Sequence, residues 1–140
     1  MTSQAYESLV ASAELQSIAL TECKAARHSA DSFENLRVKM GLEFREQDGV
    51  AHFRVLSEVD ALSSDEGLVA DIKTTHVVSY RFDSPPELLQ DHIQSFAEDV
   101  AIMAVFPYVR AVSHQLGALL DLPAATLGIL KRGDVRLTEE

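Results

Sequence analysis

The chain has 140 residues, 46% apolar and 24% charged, which is enough for one domain with its own core and too apolar for disorder throughout. Asp and Glu outnumber Lys and Arg by 22 to 12, and the resulting net charge of -10 repels phosphate backbones, which argues against nucleic acid and favours basic partners. The single cysteine, Cys23, excludes an internal disulfide and a cysteine-rich zinc site. It is expected as a buried structural thiol.

The N-terminal stretch MTSQAYESLVASAELQ carries Glu7 and Glu14 and no basic segment ahead of its apolar residues, so it does not read as a signal peptide. The apolar run Val100 to Val109 is about half the length a membrane-spanning helix needs. A cytoplasmic chain without membrane insertion is expected.

Residues 4–14 can form a short helical turn, with Leu9 and Val10 as its strong apolar contacts. From 15 to 24, LQSIALTECK sets Ile18 and Leu20 two apart, with Glu22 and Lys24 in the same phase, which predicts a strand. AARHSADSFEN (25–35) has no period and reads as a crossing loop anchored by Phe33. In LRVKMGLEF, Leu36, Val38, Met40, Leu42 and Phe44 alternate with Arg37, Lys39, Gly41 and Glu43, the pattern of a strand with one buried face.

Asp48-Gly49 supplies a hairpin turn. The return strand buries Ala51, Phe53, Val55 and Val59 and exposes His52, Arg54 and Glu58, while Ser57 interrupts its apolar face. After the turn SSDEG, a fourth strand puts Ala70, Ile72, Val78, Tyr80 and Phe82 in one phase, with Thr74 and His76 between them. Asp71, Lys73, Thr75, Ser79 and Arg81 face the other way. Three strands joined by short turns make an antiparallel meander, and the first strand can join it through the longer loop.

Ser84, Pro85 and Glu87 read as N-cap, first and third positions of a helix. Two apolar stripes then run along it. Ile102, Val105, Phe106, Val109, Val112, Leu116 and Leu120 form one; Val100, Met103, Ala104, Tyr108 and Ala111 form the other. A helix on one sheet needs one stripe, so the second predicts another subunit. Packing on both sides would offset the backbone cost of Pro107. The alternative is that Pro107 begins a separate helix. The fold expected is α+β: a four-stranded antiparallel sheet packed by a long C-terminal helix.

No catalytic motif is present. His92, Ser95 and Asp99 could share a helical face, and His52 and His76 could face each other across strands. A solvated polar face and ordinary strand histidines are the favoured readings. No catalytic residue, metal or cofactor is expected, and the chain is not expected to be an enzyme.

Four strands followed by a helix carrying Phe106, Pro107, Tyr108 and Arg110, then LLDLPAATLGIL (119–130), resemble the SecB family of protein-export chaperones. The four helix residues match that family's FPYAR segment, and Val77-Val78-Ser79-Tyr80 matches its last strand. The resemblance covers 15–130, leaving an N-terminal segment, 1–14, and a polar tail, 131–140. It implies an ATP-independent holdase for unfolded polypeptides, assembled as a homotetrameric dimer of dimers with the long helices and the motif Phe106, Pro107, Tyr108 and Arg110 between subunits. It implies a client groove that includes Phe33, Val78, Tyr80 and Phe82. It also implies docking of the SecA motor on outer-face acids, for which Asp71 matches and Glu22 is offset by one. The tail KRGDVRLTEE is short and polar where the family continues into a second helix, and the crossing loop is poor in aromatics. Both departures favour a dedicated partner, such as an antitoxin, over general export. A non-chaperone oligomeric binding module with the same strand and helix order is the other alternative.

Overall fold

A computed structural model describes residues 4–83 and 86–122, with 86–89 described by backbone alone. Helix α1 (Gln4–Ser12) leads into strands β1 (Glu14–Arg27), β2 (Asn35–Gln47), β3 (Val50–Leu62) and β4 (Leu68–Arg81). Helix α2 (Pro86–Phe96), a π-helical turn (Ala97–Ala101) and helix α3 (Ile102–Leu119) follow. The sheet is antiparallel throughout, in the order β1-β4-β3-β2, which is the expected α+β architecture. Asp48 and Gly49 both take positive φ, 54° and 82°, the two-residue geometry that an Asp-Gly hairpin selects. The N-cap expected at Ser84 and the chain beyond Leu122 lie outside the described residues.

The strands are longer than their periodicity suggested, and β1 departs from it. Its pairing with β4 slips between Leu15 and Ser17 and again between Leu20 and Glu22, so one extra residue enters at each bulge and the side-chain phase inverts. Ile18 pairs with Val78 and Leu20 with His76, but beyond the second bulge it is Cys23 and Ala25 that share their face, across from Thr74 and Ile72. Glu22 and Lys24 therefore point the other way from Leu20, contrary to the simple alternation.

One face of the sheet carries the helices. Phe53, Val55, Val59, Ile72, Val78 and Tyr80 meet Tyr6 and Leu9 of α1, Phe96 of α2, and Ile102, Val105, Phe106 and Val109 of α3 in the main core. Phe96 is its knot, with ring centroids 5.4 Å from Phe53 and 5.1 Å from both Tyr80 and Phe82. Burial steps from Phe96-Ala97 to Ala101-Ile102, then to Val105-Phe106 and Val109. The five-residue first step is what the π-helical turn accommodates, keeping both helices' apolar sides on the sheet.

Pro107 neither starts a helix nor ends one. It lies inside α3, exposed, with buried Val105, Phe106 and Val109 around it. Burial of such side chains contributes about 1.5–3 kcal/mol each, so any two offset the roughly 3 kcal/mol a helix-interior proline costs.

Helix α3 ends by a device the sequence hides. Asp121 takes φ of 60°, its N–H bonds the Ala118 carbonyl at 3.1 Å, and the Leu122 N–H bonds Gly117 at 2.9 Å. This is a Schellman arrangement with Asp where Gly is usual. Arg27, at the end of β1, donates from Nη1 to the carbonyls of Leu120 and Asp121, both at 2.9 Å, placing a cation at the negative end of the helix dipole. It also bonds Ser29 and Asp31 in the crossing loop, tying loop and helix end together. Leu122 is thereby seated with Ala61, Val69 and Ala70, where Phe33 and Leu36 pack.

Two outcomes follow. Phe96→Ala lowers unfolding free energy by about 3–5 kcal/mol, measured by urea denaturation. Asp121→Gly raises it by about 1 kcal/mol, because only glycine adopts that φ without strain. A fall for Asp121→Gly would show that the side chain, not the backbone, holds the helix end.

Candidate functional site

The four expected groove positions fall in two places. Val78 and Tyr80 are buried in the main core, and Phe82 is half-buried beside Phe96. Burial pushes the Tyr80 hydroxyl up to about 12. Phe33 is half-buried at the opposite end of β4, with Val69 and Ala70. From residue 70 to residue 80 a strand advances about 33 Å. Phe82 and Phe33 are thus the accessible members, one at each end of a long face, and Val78 and Tyr80 serve as floor.

The motif on α3 divides by direction. Phe106 faces the sheet and is buried, whereas Pro107, Tyr108 and Arg110 are exposed, Tyr108 at 51%. Met103 and Ala104 are half-exposed beside them and Ala111 is exposed, so the second stripe is uncovered in the single chain. Leu15 and Leu20 of β1 are also large exposed apolar side chains. They share the helix-bearing face of the sheet, because their partners Tyr80 and His76 do. Uncovered apolar surface of this kind is suited to an interaction with another molecule.

The other face of the sheet is polar and charged. The register bulge turns Glu22 onto it, across from Thr75, and Asp71 lies on the same face across from Ala26 and from Asp60. The bulge thus brings Glu22 and Asp71 to one face of the sheet. Asp71 is already paired with His28 and lies 3.9 Å from the Lys73 ammonium. Asp60 is 2% exposed; its Oδ2 accepts from Arg37 at 2.8 Å, and its Oδ1 has no partner among the described residues. Glu58, next to Asp60 on this face, is pushed above the usual carboxylate range by burial and then by the Asp60 carboxylate, against the pull of Lys73 and Lys39. An open trough crosses the strands here, lined by Gly41, Leu56, Thr75 and Glu22, which stand side by side in register. Nothing lies within 4 Å of where a Gly41 side chain would begin.

Asp60 and Glu58 sit in the solvent phase of β3, so their shared face was legible; the partnership of His28 with Asp71 joins loop to strand and had no sequence signal. Three expectations are corrected. Cys23 is exposed rather than buried, because the second bulge leaves it on the edge strand beyond the helices. His52 and His76 lie on opposite faces: His52 hydrogen-bonds Ser79 at 2.7 Å on the polar side, and His76 is buried on the helix-bearing side across from Val55. Val38, in the apolar phase of β2, is exposed because β2 is the other edge strand. No group of three or more His, Cys, Asp or Glu among the described residues is placed to hold a metal ion, and no helix among them is long and apolar enough to cross a membrane.

No family model matches the chain. The SecB-like chaperone SmegB of Mycolicibacterium smegmatis is 29% identical over 133 residues, which is 95% of this chain and 86% of that one. The Rv1957 SecB-like chaperone of Mycobacterium tuberculosis superposes with a TM-score of 0.73 at 22% identity, over 93% of this chain and 99% of that one. The chain is thus similar to SecB-like chaperones over most of its length. Its four-stranded antiparallel sheet and long C-terminal helix are the fold of that solved chaperone, whose structure is of a complex with a ChAD peptide from the Rv1956 HigA1 antitoxin.

A pH dependence follows from the polar face. A carboxyl raised in the folded state binds its proton more tightly there than in the unfolded chain, so stability falls as pH rises from the ordinary value of 4.5 through the raised one. Glu58→Gln removes that loss. Its thermal midpoint exceeds that of the parent at neutral pH, and the two converge below the ordinary value. Parallel curves across the acid range would show that Glu58 titrates normally.

Proposed function

We propose that this SecB-like chain is an ATP-independent holdase that binds unfolded polypeptide, and that it serves a dedicated partner rather than general export. The observation that carries the proposal is the chain-wide similarity to chaperones of this fold, one of them holding an antitoxin peptide. Holding a client needs apolar surface at the ends of β4 and along α3, and no chemistry. Phe82 and Phe33 contribute the accessible aromatic edges, over a floor of Val78 and Tyr80. The net charge of -10 favours clients whose apolar segments are flanked by Lys or Arg.

The second stripe of α3, with Met103, Ala104, Pro107, Tyr108 and Ala111, is the surface by which subunits meet, and a cytoplasmic homotetramer built as a dimer of dimers is the assembly proposed. Docking of a SecA-type basic tail would use Glu22 on the polar face. Asp71 is engaged by His28 and Lys73, so it would have to exchange partners, which disfavours an export role.

Light-scattering mass in solution tests this, with the chain alone and with reduced, carboxymethylated α-lactalbumin as an unfolded client, without nucleotide. A tetramer that co-elutes with the client is expected. Tyr108→Arg should reduce the assembly to smaller species that keep the circular-dichroism spectrum of the folded parent, with a lower thermal midpoint because the stabilisation from assembly is lost. A monomeric parent would overturn the role given to α3, and a tetramer that ignores the client would overturn the holdase reading.

A further inference from the structure

The helix-bearing face of the sheet is apolar except along one line. Ser57 on β3 lies directly across from Thr74 on β4, and His76 follows Thr74 on the same face. Helix α3 turns Ser113 inward above them. Phe96, before α3, packs on Phe53 and Tyr80 at one end of the strands, and Leu120 and Leu122, after it, pack with Ala61, Val69 and Ala70 at the other. Ser113 therefore faces their middle. All four side chains are buried, His76 and Ser113 at 1%. The hydroxyls of Ser57, Thr74 and Ser113 and both ring nitrogens of His76 have no hydrogen-bond partner among the described residues.

A buried polar group without a partner costs more than an apolar group of the same shape. Ala at 57 and 113 and Val at 74 would fill nearly the same volumes, so along this line the helix–sheet interface is built against its own stability. One flank of the line is open. Edge strand β1 puts Leu20 across from His76 and Cys23 across from Thr74, and both are exposed. The buried line is one strand away from solvent.

We propose that this seam is a polypeptide-binding site beneath α3. An extended client segment enters over β1, lays apolar side chains on Leu20 and Ile18, lifts α3 from that side, and pairs its main-chain N–H and C=O groups with Ser57, Thr74, His76 and Ser113. Hydroxyls and a neutral imidazole both donate and accept, and burial favours the neutral imidazole at His76. Every residue of an unfolded chain offers one main-chain donor, proline apart, and one acceptor, so such a site holds varied sequences. A folded partner has its main-chain groups already paired, which commits the site to an unfolded segment. The site rests on the holdase reading.

The test compares the parent with Ser57→Ala/Thr74→Val and, separately, Ser113→Ala, measuring thermal midpoint and the Kd for reduced, carboxymethylated α-lactalbumin. The expected result is a higher midpoint together with client binding about tenfold weaker in the double variant, the loss of one or two net hydrogen bonds. A lower midpoint overturns the proposal, because it means that the groups are satisfied inside the fold. A higher midpoint with unchanged Kd also overturns it and leaves the holdase reading intact. If the parent itself binds no client, the holdase reading falls and this site with it. Amide exchange gives a second measure: bound client should speed exchange in α3 between Val105 and Ser113, and slower exchange there would place the client on the outside of the helix.

Discussion

A four-stranded sheet is wider than one helix. Strands lie about 4.8 Å apart, whereas a helix with its side chains is about 10 Å across, so a single layer led by α3 covers two strands and leaves two. Helix α3 packs over β3 and β4, the inner pair. The helix-side face of β1 is therefore left with Leu15 and Leu20 open, and β2 with Val38. The same layer cannot bury both stripes of α3, which leaves Tyr108 outward. Apolar surface that no element among the described residues covers suits a protein that binds other polypeptides, and here it follows from the widths of sheet and helix.

Much of the fold was legible because the apolar side chains of β3 and β4 recur at every second position and are buried on one face, although several residues of the other phase are buried as well. The hairpin at Asp48-Gly49 was legible for a separate reason, since positive φ at two successive positions selects few residue types. The phase of β1 was not legible, because a bulge inserts one residue without any compositional signature, and the reversal it causes moved Glu22 to the polar face and Cys23 to the other. The two-sided character of α3 was readable from its stripes. The π-helical turn was present as a five-residue step between apolar pairs, from Phe96-Ala97 to Ala101-Ile102, but a search at helical period passes over such a step. The interaction of Arg27 with the end of α3 joins residues 93 and 94 apart in sequence, and nothing local announces it.

The candidate surface was legible in composition and less so in geometry. Phe33, Val78, Tyr80 and Phe82 are all near the helix-bearing face, yet two of them are core. Periodicity marks which side of a sheet a residue faces; it does not reveal whether a helix lies above it. The three motif residues exposed on α3 and the buried fourth, Phe106, show the same limit, since a helical stripe is assigned only by where the sheet is.

The seam beneath α3 completes the account of how this chain balances order against binding. Its aromatic knot at Phe96 and the helix end held by Arg27 and Leu122 fix α3 at both extremities. Between them the sheet offers Ser57, Thr74 and His76 where apolar residues would have packed more strongly. A helix pinned at its ends and weakly seated at its middle can bow without detaching, because the cost of opening is lowest where buried polar groups regain partners on exposure. The neighbouring edge strand is uncovered at the same height, at Leu20 and Cys23. Weak seating and open flank coincide along β4, and a structural defect alone would have no reason to fall beside the one inner strand that adjoins β1.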